Sequence, residues 1–295
     1  MVIVVCKNKK HGEWEMVELL KSPRKINLSK TFESLVDWVC DQSKAERAPG
    51  LIVGISGTDS ILTFLVCAEA FKRLGKQNRV IGVHFGLPLL DQENRILSNQ
   101  NSIVCVKEPF NWVIGDVFPW LKKQAPDALL EVDSHDGYDD DNIRWGRLFS
   151  RAVSDTTGEQ DLSHQHYFPV GTLNATEDFL GTYSQISKAV SLQPLIDLYK
   201  SEVLELCRFL NVPEIAIEKS AEIDCACGRY DTAAHYIKEI DAYVMVQKKE
   251  LDRRYFDALP QEAKVAVMEY VLEEKERNSF RMRTPYRPQK SLIIV

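Results

Sequence analysis

Apolar residues along this chain follow two spacings, and the spacing predicts which segments form strands and which form helices. Short apolar runs rich in β-branched residues, typical of buried strands, lie at residues 51–56, 79–86, 101–106 and 167–170. Apolar residues that recur every three or four positions predict amphipathic helices at residues 31–43, 61–74, 142–153, 200–210, 232–251 and 261–277. Strands that are apolar along their whole length and alternate with helices indicate a parallel sheet covered on both faces.

We therefore predict an α/β fold, a doubly wound parallel sheet with a helical C-terminal extension. Residues 31–295 are expected to form this domain, and residues 1–30 a small N-terminal appendage. Within the appendage, residues 2–6 are expected to form a strand, with a possible second strand near residues 15–20.

Composition and charge narrow the class of protein. The chain has 295 residues, of which 44% are hydrophobic and 27% charged, and its formal net charge is −6. These values are typical of a globular protein and exclude a disordered, collagen-like or membrane-spanning chain. The mild acidity argues against broad nucleic-acid binding, which requires a basic face.

The cysteines and the N-terminus predict a cytoplasmic location. The chain has seven cysteines, an odd number that cannot all form pairs with one another. Five of them lie in apolar runs, so reduced thiols fit better than a disulfide framework. The apolar run before Lys7 is too short for a signal peptide or a transmembrane helix.

The most informative segment is the turn at residues 56–60, within LIVGISGTDS. A buried strand, a Ser-Gly turn and a helix start together present backbone N–H groups and a helix dipole to an anion. Ser56 and Ser60 add hydroxyl donors, and Asp59 beside a phosphate would suit Mg²⁺. The competing interpretation is structural, because Ser and Asp also cap helices. The spacing matches neither the P-loop nor the Rossmann glycine pattern.

This turn and four later segments together resemble one protein family. GISG followed by DS is similar to the Ser-Gly-Gly-x-Asp-Ser motif of N-type ATP pyrophosphatases, close to its form in NAD synthetases. Further similarity to the NAD synthetase family follows in the order expected for it: DNIRWGRLFSRAV, VGTLNATEDFLGTYS, QPLIDLYKSEVLELCRFLNVPE and IDAYV. With the basic tail RNSFRMRTPYRP, the resemblance runs from about residue 31 to 288. It implies the adenine nucleotide alpha hydrolase-like fold.

The resemblance also implies roles for individual residues. The residues implied to cradle the phosphates of ATP are Ser56, Gly57, Thr58 and Ser60. Asp59 and Glu177 are implied to hold Mg²⁺, and Thr172 to contact the adenosine end of ATP. The basic residues implied to lie near the phosphates are Lys200, Arg281 and Arg283. Of all these residues, Asp59 and Lys200 are the ones expected to be catalytic.

The chemistry implied by the resemblance is amide formation driven by ATP. A substrate carboxylate attacks the α-phosphate to give an acyl-adenylate and pyrophosphate, and ammonia then displaces AMP. Such transfers need neutralisation of charge and in-line positioning rather than a protein nucleophile. The family resemblance further implies a homodimer that uses free ammonia or ammonia from a separate glutaminase.

The resemblance to NAD synthetases is incomplete at positions that serve the substrate in that family. SGTDS is one residue shorter than the family loop, and TYSQISKAV after Gly181 lacks the family's Gly-Asp. Phe280 stands where the family usually has His, and an expected Asp-Glu pair falls near Arg229 and Tyr230. These departures leave two alternatives open: a diverged ATP pyrophosphatase that amidates or thiolates another substrate, and a non-catalytic nucleotide-binding paralogue.

Three further features have competing interpretations. Cys225 and Cys227 could act as a redox or sulfur-relay pair, but free thiols are favoured because such close cysteines make a poor disulfide. His84 could face the site from the end of a strand, although a packed, hydrogen-bonded histidine is favoured. An acidic cluster could bind a cation, but we interpret it as a solvated loop: Asp133, Asp136, Asp139, Asp140 and Asp141.

Overall fold

The computed structural model describes residues 4–7, 14–17, 24–86, 112–134, 141–153, 167–221, 233 and 235–283. The strands are β1 (Val4–Lys7), β2 (Trp14–Val17), β3 (Leu51–Gly54), β4 (Val80–Gly86), β5 (Leu129–Ser134) and β6 (Phe168–Val170). The α-helices of the first half are α1 (Leu28–Ala45), α2 (Thr58–Arg73), α3 (Phe118–Gln124) and α4 (Asp141–Val153). Those of the second half are α5 (Ala175–Leu180), α6 (Lys200–Phe209), α7 (Glu214–Ala221), α8 (Ile237–Gln247), α9 (Arg253–Asp257), α10 (Gln261–Arg277) and α11 (Ser279–Arg283).

The described part of the main sheet is parallel, in the order β5-β4-β3-β6. From β3 the chain adds β4 and then β5 on one side, and later places β6 on the other side of β3. The strand order therefore reverses between β3 and β6. In open α/β sheets, ligands bind outside the carboxyl ends of the strands at such a reversal. The turn after β3 and the segment after β6 both begin at that point.

The central strand β3 shows why the sheet is covered on both faces. Leu51 and Val53 belong to the core beneath α1, α2 and α6. Ile52, which points the opposite way, packs with Leu148 and Ala152 of α4. Because successive side chains of a strand alternate between faces, a strand of apolar residues alone must have helices on both sides. The predicted doubly wound α/β fold is confirmed.

The helical C-terminal extension has a core of its own. Residues of α5, α8, α9 and α10 form a separate apolar cluster around Val244, Phe256, Val267 and Tyr270. This part of the prediction is confirmed, although the helix expected at 232–251 is observed as α8, which ends at Gln247.

One strand was missed and one predicted strand cannot be compared. The expected strand at residues 101–106 lies outside the described residues. The strand next to β4 is instead β5, Leu129–Ser134. Our interpretation of Asp133 as part of a solvated loop is wrong, because Asp133 lies on β5 and accepts two hydrogen bonds from Arg147 of α4. The interpretation is also wrong for Asp141, which begins α4, while Asp136, Asp139 and Asp140 lie outside the described residues.

The segment before α1 is joined to the α/β domain by an ion pair between the partly exposed Arg24 and the buried Glu202. Arg24 donates from Nε to Oε1 of Glu202 at 2.7 Å and from one terminal nitrogen to Oε2 at 2.8 Å. Glu202 is fully buried in α6 and also accepts the Tyr199 N–H, which closes the N-terminal turn of that helix. Bidentate pairing of this kind satisfies a buried carboxylate.

Gly181, at the C-terminal end of α5, is expected to tolerate no side chain. Its φ is +74°, and a Cβ there would lie 2.7 Å from Cβ of Asn278. Gly75, after α2, has a similar φ of +69° but nothing within 4 Å of an added Cβ. Urea denaturation should therefore show a loss of about 1 kcal/mol for Gly75→Ala from backbone strain alone. For Gly181→Ala we expect a further loss of about 1–3 kcal/mol from crowding, and equal losses for the two variants would contradict this interpretation.

Among the described residues, no helix is both long enough and apolar enough to cross a bilayer.

Candidate active site

The turn between β3 and α2 is held by its own serines. The Ser60 hydroxyl accepts the Ser56 N–H at 2.8 Å and donates to the Gly57 carbonyl at 2.7 Å. Gly57 occupies the N-cap of α2 and has no side chain with which to cap the helix. The first N–H groups of α2 therefore need acceptors from elsewhere, as the first turn of any helix does.

One of these groups is capped by a distant helix. The Thr58 N–H donates to Oγ of Ser220, in α7, at 3.0 Å, and the Thr58 hydroxyl donates to the same oxygen at 2.9 Å. Thr58 is fully buried. The N–H of Thr58, a residue predicted to belong to the phosphate-binding turn, is thus already paired within the protein. The Thr58 hydroxyl also accepts from the Lys200 ammonium at 3.3 Å, and contact of Thr58 with a phosphate stays a prediction.

Asp59 and Lys200 form an ion pair at the N-terminus of α2. Lys200 Nζ donates to Oδ2 of Asp59, although the two residues are 141 positions apart in the chain. Their side chains are only 13% and 9% exposed. A lysine in the first turn of a helix opposes the helix dipole, so its burial there depends on the carboxylate of Asp59. The structure thus brings together the two residues predicted to be catalytic.

Asn174 links this pair to α5. Its Nδ2 donates to Oδ1 of Asp59 at 2.7 Å, while its Oδ1 caps α5 by accepting the Thr176 and Glu177 N–H groups at 3.0 and 2.9 Å. Glu177 lies in the first turn of α5, partly buried. One asparagine side chain therefore contacts both Asp59 and the backbone of Glu177.

A second buried carboxylate lies behind these helices. Asp241 of α8 is fully buried and accepts the Thr176 hydroxyl at 2.5 Å and the Ser201 N–H at 2.7 Å. Thr176 Oγ1 in turn accepts the Lys200 N–H at 3.0 Å. Burial raises the pKa of Asp241 to about 6, and the hydrogen bonds from Thr176 and Ser201 oppose that rise.

The raised pKa of Asp241 should make stability depend on pH. The ordinary pKa of this group is 3.8, so between the two values the folded chain holds a proton that the unfolded chain has lost. The stabilisation is fully present below about pH 4 and is lost as the pH rises through about 6. In urea denaturation, the unfolding free energy of the wild type relative to Asp241→Asn should fall across this range. A flat or rising difference would contradict the assignment.

The remaining predicted residues are placed less directly. Thr172 lies two residues after β6, the strand that pairs with β3 at the reversal of strand order. One terminal nitrogen of Arg281 donates to the Tyr183 carbonyl at 3.0 Å, in the segment after α5. Arg283 ends α11, and its side chain lies outside what the structure describes. Contact of these residues with ATP stays a prediction.

His84 and the described cysteines are packed in the interior. His84 is buried, its Nδ1 is hydrogen-bonded to the Ile55 carbonyl at 2.8 Å, and burial lowers its pKa. This agrees with the favoured interpretation. Cys40, Cys67 and Cys207 are buried free thiols whose pKa values are raised by burial. Cys225 and Cys227 lie outside the described residues.

The carboxylates at the site, Asp59 and Glu177, are of the donor type that Mg²⁺ takes in proteins. No group of three or more His, Cys, Asp or Glu side chains converges within the part of the chain that the structure describes. Mg²⁺ is commonly held by one or two carboxylates together with substrate phosphates and water. Asp59 and Glu177, which both neighbour Asn174, fit this pattern.

Sequence reasoning missed several residues of the network. Asn174, Thr176 and Asp241 lie in segments that carried the family resemblance, but no role was predicted for their side chains. Asn174 stands immediately before an acidic first helical turn, and this arrangement predicts that its side chain caps the helix. Ser220 offered no comparable signal, because its contact with Thr58 joins residues 162 positions apart.

Comparison with known proteins gives consistent matches. Residues 31–285 match the family described as NAD synthase. The NH₃-dependent NAD⁺ synthetase of Thermotoga neapolitana is 32% identical over 293 residues, covering 88% of this chain and 96% of the relative. That of Carboxydothermus hydrogenoformans is 26% identical over 231 residues, covering 75% and 87%.

Two solved structures share the fold. The NH₃-dependent NAD synthetase of Campylobacter jejuni, in complex with nitrate ion, has a TM-score of 0.60 and 16% identity over 90% of this chain and all of that one. An NMN synthetase from Francisella tularensis has a TM-score of 0.59 and 14% identity with the same coverage.

Proposed function

Since the chain belongs to the NAD synthase family, whose members are carbon–nitrogen ligases, we propose that it is an ATP-dependent, AMP-forming amide ligase. Its proposed substrates are the carboxylate of nicotinic acid adenine dinucleotide and ammonia, and its product is NAD. The observation that carries the proposal is the Asp59–Lys200 pair, which lies at the N-terminus of α2 where the strand order reverses.

In the first proposed step, the nicotinate carboxylate attacks the α-phosphorus of ATP. A bond forms between the carboxylate oxygen and phosphorus, and the bond to the bridging oxygen breaks, so that pyrophosphate leaves. Negative charge develops on the leaving oxygens, and the Lys200 ammonium would neutralise it. The N-terminal turn of α2 and the Ser56 hydroxyl would supply further positive dipoles, whereas the Ser60 hydroxyl already donates its proton to the Gly57 carbonyl.

In the second proposed step, ammonia attacks the acyl carbon of the adenylate. The carbon–nitrogen bond forms, the nitrogen loses a proton, and the acyl–oxygen bond breaks to release AMP. Asp59 and Glu177 would hold Mg²⁺, which neutralises phosphate charge when it is bound. When ATP binds, Lys200 would exchange its contact with Asp59 for the phosphates.

A mononucleotide substrate is the second candidate. The fold is as similar to the Francisella protein described as NMN synthetase as to the Campylobacter NAD synthetase, with TM-scores of 0.59 and 0.60. The segment after Gly181, which departs from the family pattern, is where the two substrates would be distinguished. The same chemistry on nicotinic acid mononucleotide would yield NMN.

The proposal includes a homodimer that acts in the cytoplasm, with ammonia supplied free or by a separate glutaminase. These features come from the family resemblance, and nucleic acid has no place in the reaction.

The proposed function is tested by incubating the protein with ATP, Mg²⁺, ammonium and nicotinic acid adenine dinucleotide. We expect AMP and NAD in equal amounts, and neither when ammonium and the dinucleotide are left out. NMN formed from the mononucleotide, without NAD from the dinucleotide, would select the second candidate. ATP binding without AMP formation from either nucleotide would overturn both and favour a non-catalytic paralogue or another carboxylate substrate.

A further inference from the structure

A buried hydrogen-bond network ties together the N-terminal turns of α5 and α6. Asp241 reaches both turns from α8, accepting the Thr176 hydroxyl of α5 and the Ser201 N–H of α6. Asp241 is fully buried and Thr176 is 7% exposed. A carboxylate at the N-termini of two helices is stabilised by both helix dipoles.

The Thr176 hydroxyl is the junction of this network. It donates to Asp241, and its oxygen accepts the backbone N–H of Lys200 at 3.0 Å. Lys200 is the first residue of α6, so its N–H has no partner within the helix. The Thr176 hydroxyl therefore fixes the backbone from which the Lys200 side chain extends to Asp59.

We propose that Thr176 and Asp241 are positioning residues that hold the Lys200 ammonium in place for the phosphates of ATP. The inference rests on the proposed function for its chemistry, but its geometry concerns nucleotide binding alone. Neither residue contacts Asp59 through its side chain in the hydrogen bonds described, so both act through Lys200 and the first turn of α5.

The position of Lys200 depends on this network because the helix dipole and the burial of the ammonium both oppose it. A cation in the first turn of a helix is unfavourable, and the side chain is almost fully buried. Loss of the Thr176 hydroxyl would leave the Lys200 N–H without its buried acceptor and Asp241 with one donor fewer. A small displacement of the Lys200 ammonium would weaken its contact with a phosphate and so lower the affinity for ATP.

The test compares two replacements of Thr176 that differ in the hydroxyl. Thr176→Val keeps the shape and removes the hydrogen bonds, whereas Thr176→Ser keeps the hydroxyl. Thr63→Val is the matched control, because Thr63 is also buried but its hydroxyl has no hydrogen-bond partner among the described residues. Binding of Mg²⁺–ATP by calorimetry and thermal unfolding are measured for each full-length variant.

We expect Thr176→Val to raise the Kd for Mg²⁺–ATP by about tenfold, while Thr176→Ser and Thr63→Val change it by less than about twofold. Asp241→Asn should raise the Kd as well, and combining it with Thr176→Val should give less than the sum of the two effects, because both act through one network. A folded Thr176→Val protein with wild-type Kd would overturn the proposal, whatever its melting temperature.

The outcomes also separate this inference from the proposed function. If the wild type binds ATP but amidates neither nucleotide, the proposed function fails and the positioning role is still decided by the Kd values. If the wild type binds no ATP, both are overturned.

Discussion

Replacing Lys200 with methionine is expected to lower the rate of AMP formation by roughly 10²–10³-fold. Methionine keeps an unbranched apolar stem of similar length but cannot carry the positive charge that faces Asp59. The leaving pyrophosphate then loses a cation held in a buried site, where charge is screened least. The measurement is AMP release at saturating ATP, ammonium and nicotinic acid adenine dinucleotide, with circular dichroism to show that the variant is folded.

Lys72→Met is the control for this substitution. Lys72 lies on α2, its side chain is 70% exposed, and its ion pair with Glu69 at 3.5 Å contributes little in water. Its replacement should leave the rate unchanged. A folded Lys200→Met protein that releases AMP at the wild-type rate would refute the assigned role of Lys200.

Replacing Asp59 with asparagine is expected to separate binding of the nucleotide from turnover. Turnover should fall by about 10²-fold, because the carboxylate assigned to Mg²⁺ is lost. Binding of ATP without Mg²⁺ should instead become tighter, by about threefold, since a negative charge no longer opposes the phosphates and Lys200 is released from its partner. Both are measured on the same preparation, by AMP release and by equilibrium titration with ATP and EDTA.

Asp37→Asn provides the matched control, since Asp37 is 68% exposed and pairs with Arg73 away from the turn. It should change neither quantity. Weaker binding of metal-free ATP by Asp59→Asn would mean that Asp59 supports the shape of the turn rather than holding the metal.

The α/β part of the fold was predictable because the buried strands form short apolar runs that can be recognised in the sequence. The run LIVG is apolar at every position and is followed by a glycine turn and a helical pattern, which is what a covered parallel strand requires. β5 gave no such signal, since Leu129 and Val132 are about two-fifths exposed and two of its three polar positions are charged. Glu131 and Asp133 are compensated by Arg151 and Arg147 of α4, which only the folded structure brings opposite them.

The candidate site was predictable as a set of residues but not as a set of contacts. The resemblance selected Asp59 and Lys200, yet their pairing joins residues from different helices and follows only from the sheet order. The capping of Thr58 by Ser220 arises because the N-cap residue, Gly57, has no side chain, so the acceptor comes from α7. Asp241 lies in a segment with helical apolar periodicity, and that periodicity alone assigns no role to its carboxylate.

The pairing of Arg24 with Glu202 has a consequence for anyone exchanging segments between members of this family. Glu202 closes the turn that begins with Lys200, and Arg24 neutralises it from a segment that precedes the first helix of the α/β domain. A chimera that takes its N-terminal segment from a relative without this arginine would leave a buried carboxylate two residues from Lys200. A chimera should therefore keep both Arg24 and Glu202 or replace both.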